Sequence, residues 1–132
     1  MYIDASALVA IIAGESDGED LRRRLKKRKK RSISALSEFE AALALARIRN
    51  ISVVAALDLV TRFKKIYAIT GVDIEPRFSK LAIRAFQEYG RGQGHKARLN
   101  MGDCFSYACA KNANVPLLYK GDDFVHTDIG FA

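Results

Sequence analysis

The chain opens with MYIDASAL, residues 1–8, in which apolar residues lead into an acid and then into small residues. Tyr2 and Ile3 are typical of a short β-strand, and the small residues after Asp4 indicate the start of a helix. A strand followed directly by a helix is the unit from which parallel α/β sheets are built. Asp4 is therefore expected at the carboxyl end of a strand, the edge where ligands bind in open α/β sheets.

Three further acids occur in comparable settings downstream. Glu40 lies near the start of an alanine-rich helix, Asp103 opens a later helix, and Asp122 follows an apolar strand and a glycine. Carboxylate oxygens are the hard ligands that Mg²⁺ and Mn²⁺ prefer, and such an ion activates water against a phosphoryl group. Together with Asp4, these acids predict a metal site for phosphodiester hydrolysis.

Each acid also has a purely structural explanation. Asp4 suits the N-cap of the following helix, and Glu40 stands three residues after Ser37, in the spacing of a capping box. Asp103 lies in a first helical turn, where the helix dipole favours acids, and Asp122 follows a glycine in a turn. Spacing alone leaves both interpretations open for each of the acids.

The order of the predicted elements indicates an α/β fold. Strands are predicted at 2–4, 32–34, 72–75 and 115–119, and helices at 6–12, 17–30, 36–49, 53–67, 78–89 and 101–111. Strands that alternate with helices are typical of a parallel sheet. No repeat, linker or change in composition divides the chain, so we expect a single domain over residues 1–132.

Composition narrows the class of protein. Apolar residues make up 49% of the chain and charged residues 28%, as in a globular protein. No apolar run is long enough to cross a membrane, and residues 8–13 lack the basic leader of a signal peptide, so the expected location is the cytoplasm. Cys104 and Cys109 have the spacing of neither a redox pair nor a zinc site, which predicts reduced core thiols.

The net charge of +7 is concentrated in one segment. Residues 22–31 carry nine of the 22 lysines and arginines, and outside this segment 15 acids face 13 bases. A concentrated basic patch suits a polyanion such as nucleic acid, or an acidic protein partner, and a solvated helix end is the alternative. The glycine-rich basic loop 91–98 is predicted to be mobile and to contact a phosphate, with an ordinary surface loop as its alternative.

Taken together, these residues resemble the PIN-domain ribonucleases of the VapC toxin type, from prokaryotic toxin–antitoxin systems. The resemblance covers nearly the whole chain. It rests on IDASALVA at 3–10, ISALS at 33–37 with EAA at 40–42, YGRG at 89–92 with LNMGDCFSYA at 99–108, and LLYKGDDF at 117–124. It implies a PIN-like three-layer α/β/α sandwich, in which the central parallel sheet gathers the acids at one edge.

The resemblance also implies a role for each acid. Asp4 and Asp103 match the principal metal-binding aspartates, Glu40 the acid on the helix after the second strand, and Asp122 the acid after the fourth strand. The Lys-Gly-Asp-Asp-Phe sequence departs from the commoner Thr-x-Asp pattern, and Lys120 stands at the position of that threonine. The alternatives left open are Glu38 for Glu40, and Asp123 or Asp128 for Asp122.

The activity implied by the resemblance is Mg²⁺- or Mn²⁺-dependent endonucleolytic cleavage of RNA, commonly tRNA or ribosomal RNA. Basic residues such as Arg91, Lys96 and Arg98 are expected to position the RNA strand. The implied partners are a cognate VapB antitoxin, whose tail covers the site, and a second copy of the chain in a homodimer, with no membrane partner. The rival hypothesis is a PIN-like RNA- or protein-binding module without nuclease activity, in which the acids act only as helix caps.

Overall fold

Four short strands and six helices alternate along the chain, and the computed structural model describes all 132 residues. The elements are β1 Tyr2–Ile3, α1 Ala5–Ala13, α2 Gly18–Lys27, β2 Ser32–Ser34, α3 Ala35–Arg49, α4 Val53–Ile66, β3 Thr70–Val72, α5 Phe78–Tyr89, α6 Met101–Asn112 and β4 Leu117–Leu118. The strands form one parallel sheet in the order β3-β2-β1-β4. None of the helices combines the length and the apolar character required to span a membrane.

Neighbouring residues of a strand pack into different cores. Ile3 and Leu118 belong to a buried cluster that α1, α2, α3 and α4 cover, whereas Tyr2 and Leu117 belong to a second cluster under α5 and α6. This division follows from strand geometry, because successive side chains point to opposite faces of the sheet. Helices therefore cover both faces of a parallel sheet, and the predicted three-layer α/β/α sandwich is confirmed.

Local side-chain hydrogen bonds set where several helices begin. Ser52 Oγ accepts from the Ala55 nitrogen at 3.1 Å and is the predicted N-cap of α4. Asn100 caps α6 as predicted, and Ser34 caps α3. Gly14, with a φ of 75°, ends α1 in the left-handed conformation that glycine adopts without a steric penalty. These caps place the first turns of α3 and α6 next to the ends of the strands.

Three strands are shorter than the sequence pattern predicts, and the first of them is β1, which is Tyr2–Ile3 rather than 2–4. The predicted bounds of the third strand, 72–75, are wrong. This strand, β3, is Thr70–Val72 and pairs residue for residue with Ser32–Ser34. β2 offers only these residues for pairing, so the apolar alternation that continues to residue 75 has no partner strand. β4 covers Leu117–Leu118 rather than the whole of 115–119.

Both cysteines are free and buried on α6, as the sequence predicts. Cys104 and Cys109 pack in the second cluster, with α5 and the inner face of the sheet. Burial raises the pKa of the Cys104 thiol to about 11, and burial also raises the pKa of Cys109. The thiols are therefore protonated near neutral pH and act as small apolar core groups.

The close approach of α1 and α2 at Gly18 gives the first prediction. A Cβ atom at Gly18 would lie 2.5 Å from the Ala10 carbonyl oxygen and 3.4 Å from Ile11 Cα, which are both backbone atoms. We expect Gly18→Ala to lower the free energy of unfolding by about 1–3 kcal/mol, the usual cost of overpacking, as measured by urea denaturation. Gly71→Ala is the matched control, because a Cβ there meets no atom within 4 Å. Equal losses in the two variants would contradict this account of the contact.

Candidate active site

The carboxyl ends of β1 and β4 open into a cleft of about 580 Å³. Its lining is rich in charged side chains, with an excess of acids. They are Asp4, Glu15, Glu40, Asp103 and Asp123, with Arg47 and Lys120 as the bases. The structure thus brings together three of the predicted site residues, Asp4, Glu40 and Asp103, from three separate segments of the chain.

Asp4 is held at the end of β1 by the first turn of α1. Its Oδ2 atom accepts hydrogen bonds from the Ser6 nitrogen at 2.9 Å and from Ser6 Oγ at 2.5 Å, so Asp4 is also the N-cap of α1. Ser6 Oγ in turn accepts from the Lys120 nitrogen at 3.0 Å, which ties the end of β1 to the end of β4. Both hydrogen bonds to the Asp4 carboxylate end on Oδ2, and the Oδ1 atom forms no hydrogen bond within the protein.

Asp103 lies in the first turn of α6 and forms a capping box with Asn100. Asp103 Oδ2 accepts from the Asn100 nitrogen at 2.8 Å, and Asn100 Oδ1 accepts from the Asp103 nitrogen at 3.0 Å. Burial is the main cause that raises the pKa of Asp103 to about 7, and the Asn100 hydrogen bond opposes this shift. Nearby carboxylates raise the pKa of Asp103 further, namely Asp4, Asp123 and Glu40.

Glu40 reaches the cleft from α3. The helix begins with Ser34 as its N-cap, so Ser37 lies inside it and the capping box considered for Ser37 and Glu40 does not form. The Glu40 carboxylate packs directly against Gly102 of α6, where a Cβ atom would overlap it. Burial, and then the charge of Asp4, raises the pKa of Glu40.

Two alternative acids are engaged outside the cleft. Glu38 forms an ion pair with Lys64 on α4, so Glu40 is the acid of this helix segment that enters the cleft. Asp128 accepts hydrogen bonds from the Tyr107 hydroxyl at 2.5 Å and from Lys111 Nζ at 2.6 Å, both on α6. Neither Glu38 nor Asp128 lines the cleft.

The acid that enters the cleft after β4 is Asp123, whereas the prediction named Asp122. Gly121 adopts a φ of 91° in the turn after β4. Within this turn Asp123 lines the cleft, and Asp122 is exposed and lies outside the lining. The direction of this turn depends on the backbone of Gly121, and the sequence pattern alone does not specify it.

Sequence reasoning missed the bases of the cleft. Arg47 lies on α3 seven residues after Glu40, with Ala44 between them on the same helix face, and all three line the cleft. This spacing was the available signal. Arg47 has no ion pair, whereas Lys120 Nζ pairs with Glu15. The bases expected to position the strand are exposed in the loop between α5 and α6 and do not line the cleft: Arg91, Lys96 and Arg98.

The donor set fits a hard divalent cation that keeps part of its water shell. No three or more acidic, histidine or cysteine side chains are arranged to hold a metal ion directly. Mg²⁺ usually binds proteins through one or two carboxylates while keeping several waters. Asp4 and Asp103 suit this mode, because each uses one oxygen for capping and leaves the other without a hydrogen bond.

Comparison with known proteins identifies the family. The family model described as PIN domain matches residues 1–130. The chain belongs to the PIN-domain family. Ribonuclease VapC42 of Mycobacterium tuberculosis is 40% identical over 129 residues, which cover 98% of this chain and 96% of that protein. A VapC ribonuclease of Rhizobium meliloti is 38% identical over 140 residues, covering 98% of this chain and 99% of that protein.

A solved structure supports the same fold. The crystal structure of Mycobacterium tuberculosis VapC20, described as a sarcin-ricin loop cleaving toxin, matches with a TM-score of 0.78. The match covers 99% of this chain and 97% of that chain at 14% identity. The family match and the VapC relatives confirm the resemblance to VapC-type PIN-domain ribonucleases, and nucleases of this family in general depend on a divalent metal.

The raised pKa of Asp103 predicts how stability depends on pH without metal. Because burial raises this pKa from 3.8 to about 7, the native state binds a proton more tightly than the unfolded chain does. The resulting stabilisation is fully present below the unfolded pKa and is lost as the pH rises through about 7. We measure the free energy of unfolding by urea denaturation in EDTA. Between pH 3.8 and about 7, this free energy should fall less in Asp103→Asn than in the unmodified protein. Identical pH profiles would contradict the prediction.

Proposed function

We propose that this PIN-domain protein is the RNA-cleaving toxin of a toxin–antitoxin pair and that it hydrolyses RNA phosphodiester bonds in the carboxylate cleft. The observation that carries the proposal is the meeting of Asp4, Glu40, Asp103 and Asp123 at one edge of the sheet. Full-length similarity to VapC ribonucleases supports it. The rival binding-module hypothesis explains helix caps at Asp4 and Asp103, but it does not explain Glu40, which caps no helix.

Asp4 and Asp103 are assigned to hold the metal, Mg²⁺ or alternatively Mn²⁺. When bound, the ion supplies polarisation of a phosphoryl oxygen and a nucleophilic water at neutral pH. Ser6 fixes the orientation of the Asp4 carboxylate, and Asn100 fixes that of Asp103. Glu40 is assigned to accept a proton from the attacking water, because burial and the charge of Asp4 raise its pKa and make its carboxylate a stronger base than an ordinary glutamate.

Arg47 is assigned to bind a phosphate of the substrate strand. It lies in the cleft without an ion pair, and a guanidinium matches phosphate oxygens with two parallel hydrogen bonds. Lys120 is engaged with Glu15 and lies 3.5 Å from Asp17 Oδ1, so its charge is largely neutralised by the protein itself.

A structured tRNA or ribosomal RNA is the proposed substrate class, and Asp123 replaces Asp122 as the proposed fourth catalytic acid.

A VapB-type antitoxin and a second copy of the chain are the proposed protein partners. Two groups of exposed apolar side chains support binding to protein. One group lies on α3 and α4, and the other flanks the groove between α5 and α6. The first comprises Phe39, Leu43, Val54 and Leu57, and the second comprises Ile83, Phe86 and Met101.

Cleavage assays on the purified protein test the proposed function. With RNA and added Mg²⁺ or Mn²⁺, we expect cleavage that Asp4→Asn and Asp103→Asn each reduce by about a hundredfold or more, because several kcal/mol of transition-state stabilisation are lost. Circular dichroism should show that both variants remain folded, since asparagine also caps helices. RNA that binds but is never cut by the unmodified protein would support the binding module instead.

Asp122 and Asp123 form a matched pair within the same assay. We expect Asp123→Asn to reduce cleavage and Asp122→Asn to leave it near that of the unmodified protein. Both substitutions remove one charge from the same exposed turn, so a general electrostatic effect would act on the two alike. The reverse order of effects would restore Asp122 to the site.

Gly102→Ala tests the contact between α6 and Glu40. The new Cβ would overlap the Glu40 carboxylate, which has to move away from its place in the cleft. In a helix, alanine is more favourable than glycine by about 1 kcal/mol, so the thermal midpoint should hold or rise while the cleavage rate falls. Unchanged cleavage in this variant would show that the position of Glu40 is not critical.

A further inference from the structure

The basic segment 22–31 is divided between two uses. Its four arginines other than Arg28 are engaged within the protein: Arg22 pairs with Glu19 at 3.7 Å, and Arg23 and Arg24 pair with Asp20 at 2.8 and 2.7 Å. Arg31 donates to the carbonyl oxygens of Leu25 and Tyr67, which fastens the ends of α2 and α4 to the start of β2. The remaining bases are exposed and form no ion pair, and we call them the basic edge: Lys26, Lys27, Arg28, Lys29 and Lys30.

The basic edge runs from the end of α2 towards the amino end of β2. Lys29 and Lys30 line a pocket of about 360 Å³ together with Ser32 and Thr70, the first residues of β2 and β3. No acidic residue lines this pocket. The carboxylate cleft lies at the other end of the same parallel strands. A parallel strand rises roughly 3.3 Å per residue, so the three steps from residue 1 to residue 4 separate the two ends by about 10 Å.

The chemistry of the basic edge suits a nucleic-acid backbone better than an acidic protein. Unpaired cations close together repel one another, and binding of a polyanion relieves this repulsion and releases counterions. Lysine is depleted in protein–protein interfaces, which are enriched in aromatic residues. Four of the five residues of the basic edge are lysines, and its pocket has no exposed large apolar side chain. The exposed hydroxyl of Thr70 adds an uncharged donor for phosphate oxygens.

We propose that the basic edge is a second RNA-binding surface, which holds the sugar–phosphate backbone of the substrate at a distance from the cleavage cleft. The inference rests on the proposed function for the identity of the polyanion. Contacts of this kind supply affinity without reading the base sequence. They favour long or folded RNAs whose backbone reaches both ends of the sheet over short RNAs that reach only the cleft.

Binding measured in EDTA tests this surface without requiring cleavage. The double variant Lys29→Gln with Lys30→Gln is compared with Lys80→Gln with Arg84→Gln, which removes the same charge from exposed, unpaired positions on α5. For a long single-stranded RNA, we expect the first variant to lower the slope of log Kd against log salt concentration by about 1.4, at roughly 0.7 for each lost phosphate contact. The α5 variant should keep the slope of the unmodified protein. Lysine-to-arginine changes at residues 29 and 30 should also keep it.

Cleavage with Mg²⁺ supplies the second readout. The Lys29→Gln and Lys30→Gln double variant should lose kcat/KM on the long RNA and keep it on a short oligonucleotide. Equal salt slopes in the two double variants would overturn the proposal, and so would weakened binding of polyglutamate with unchanged binding of RNA. If the unmodified protein binds RNA through the basic edge but cuts none, the proposed function fails, and the basic edge is an RNA-binding surface without a role in cleavage. If the Lys29→Gln and Lys30→Gln double variant cuts the long RNA as well as the unmodified protein does, and the two have equal salt slopes, only this inference fails.

Discussion

Crowding of like charges in the cleft is the constraint around which the rest of the structure is arranged. Removal of carboxylates from water and their placement side by side both oppose folding, and the effect is visible in the pKa of Asp103, which burial raises to about 7. Apolar clusters on both faces of the sheet supply the stability that offsets this cost. A divalent cation would remove much of the repulsion, so stability and metal binding are coupled in this fold.

Helix capping and the proposed metal binding would use different oxygens of the same carboxylates. Asp4 caps α1 through Oδ2, and Asp103 closes its capping box through Oδ2, which leaves one oxygen of each without a hydrogen bond. The structural and functional interpretations of these acids are therefore compatible. Capping fixes the side-chain rotamers before any ligand arrives, which lowers the entropy that binding has to overcome. Glu40 lacks such a cap and is held by its contact with Gly102.

Local sequence patterns predicted the layers of the fold, because each strand and helix carries its own periodicity. Strand lengths were less predictable, since β3 ends where β2 runs out of residues to pair with, and that limit is set elsewhere in the chain. The same holds in the cleft. The placement of Asp4 and Asp103 followed from strand and helix ends, whereas the choice of Asp123 over Asp122 depends on the left-handed turn at Gly121. Their catalytic roles stay predictions.

The acidic cleft and the basic edge lie at opposite ends of the strands of the parallel sheet, and this separation has a physical consequence. Within the cleft Lys120 pairs with Glu15, and an ion pair of this kind weakens the attraction of the cleft for a metal ion. Bases at the amino ends of the strands are free of this competition, because no acid lines their pocket. The acidic excess of the cleft repels a polyanionic substrate, and cations at the far edge offset that repulsion without neutralising the carboxylates. A parallel sheet provides two such edges with every strand pointing from one to the other, which an antiparallel sheet of the same size does not.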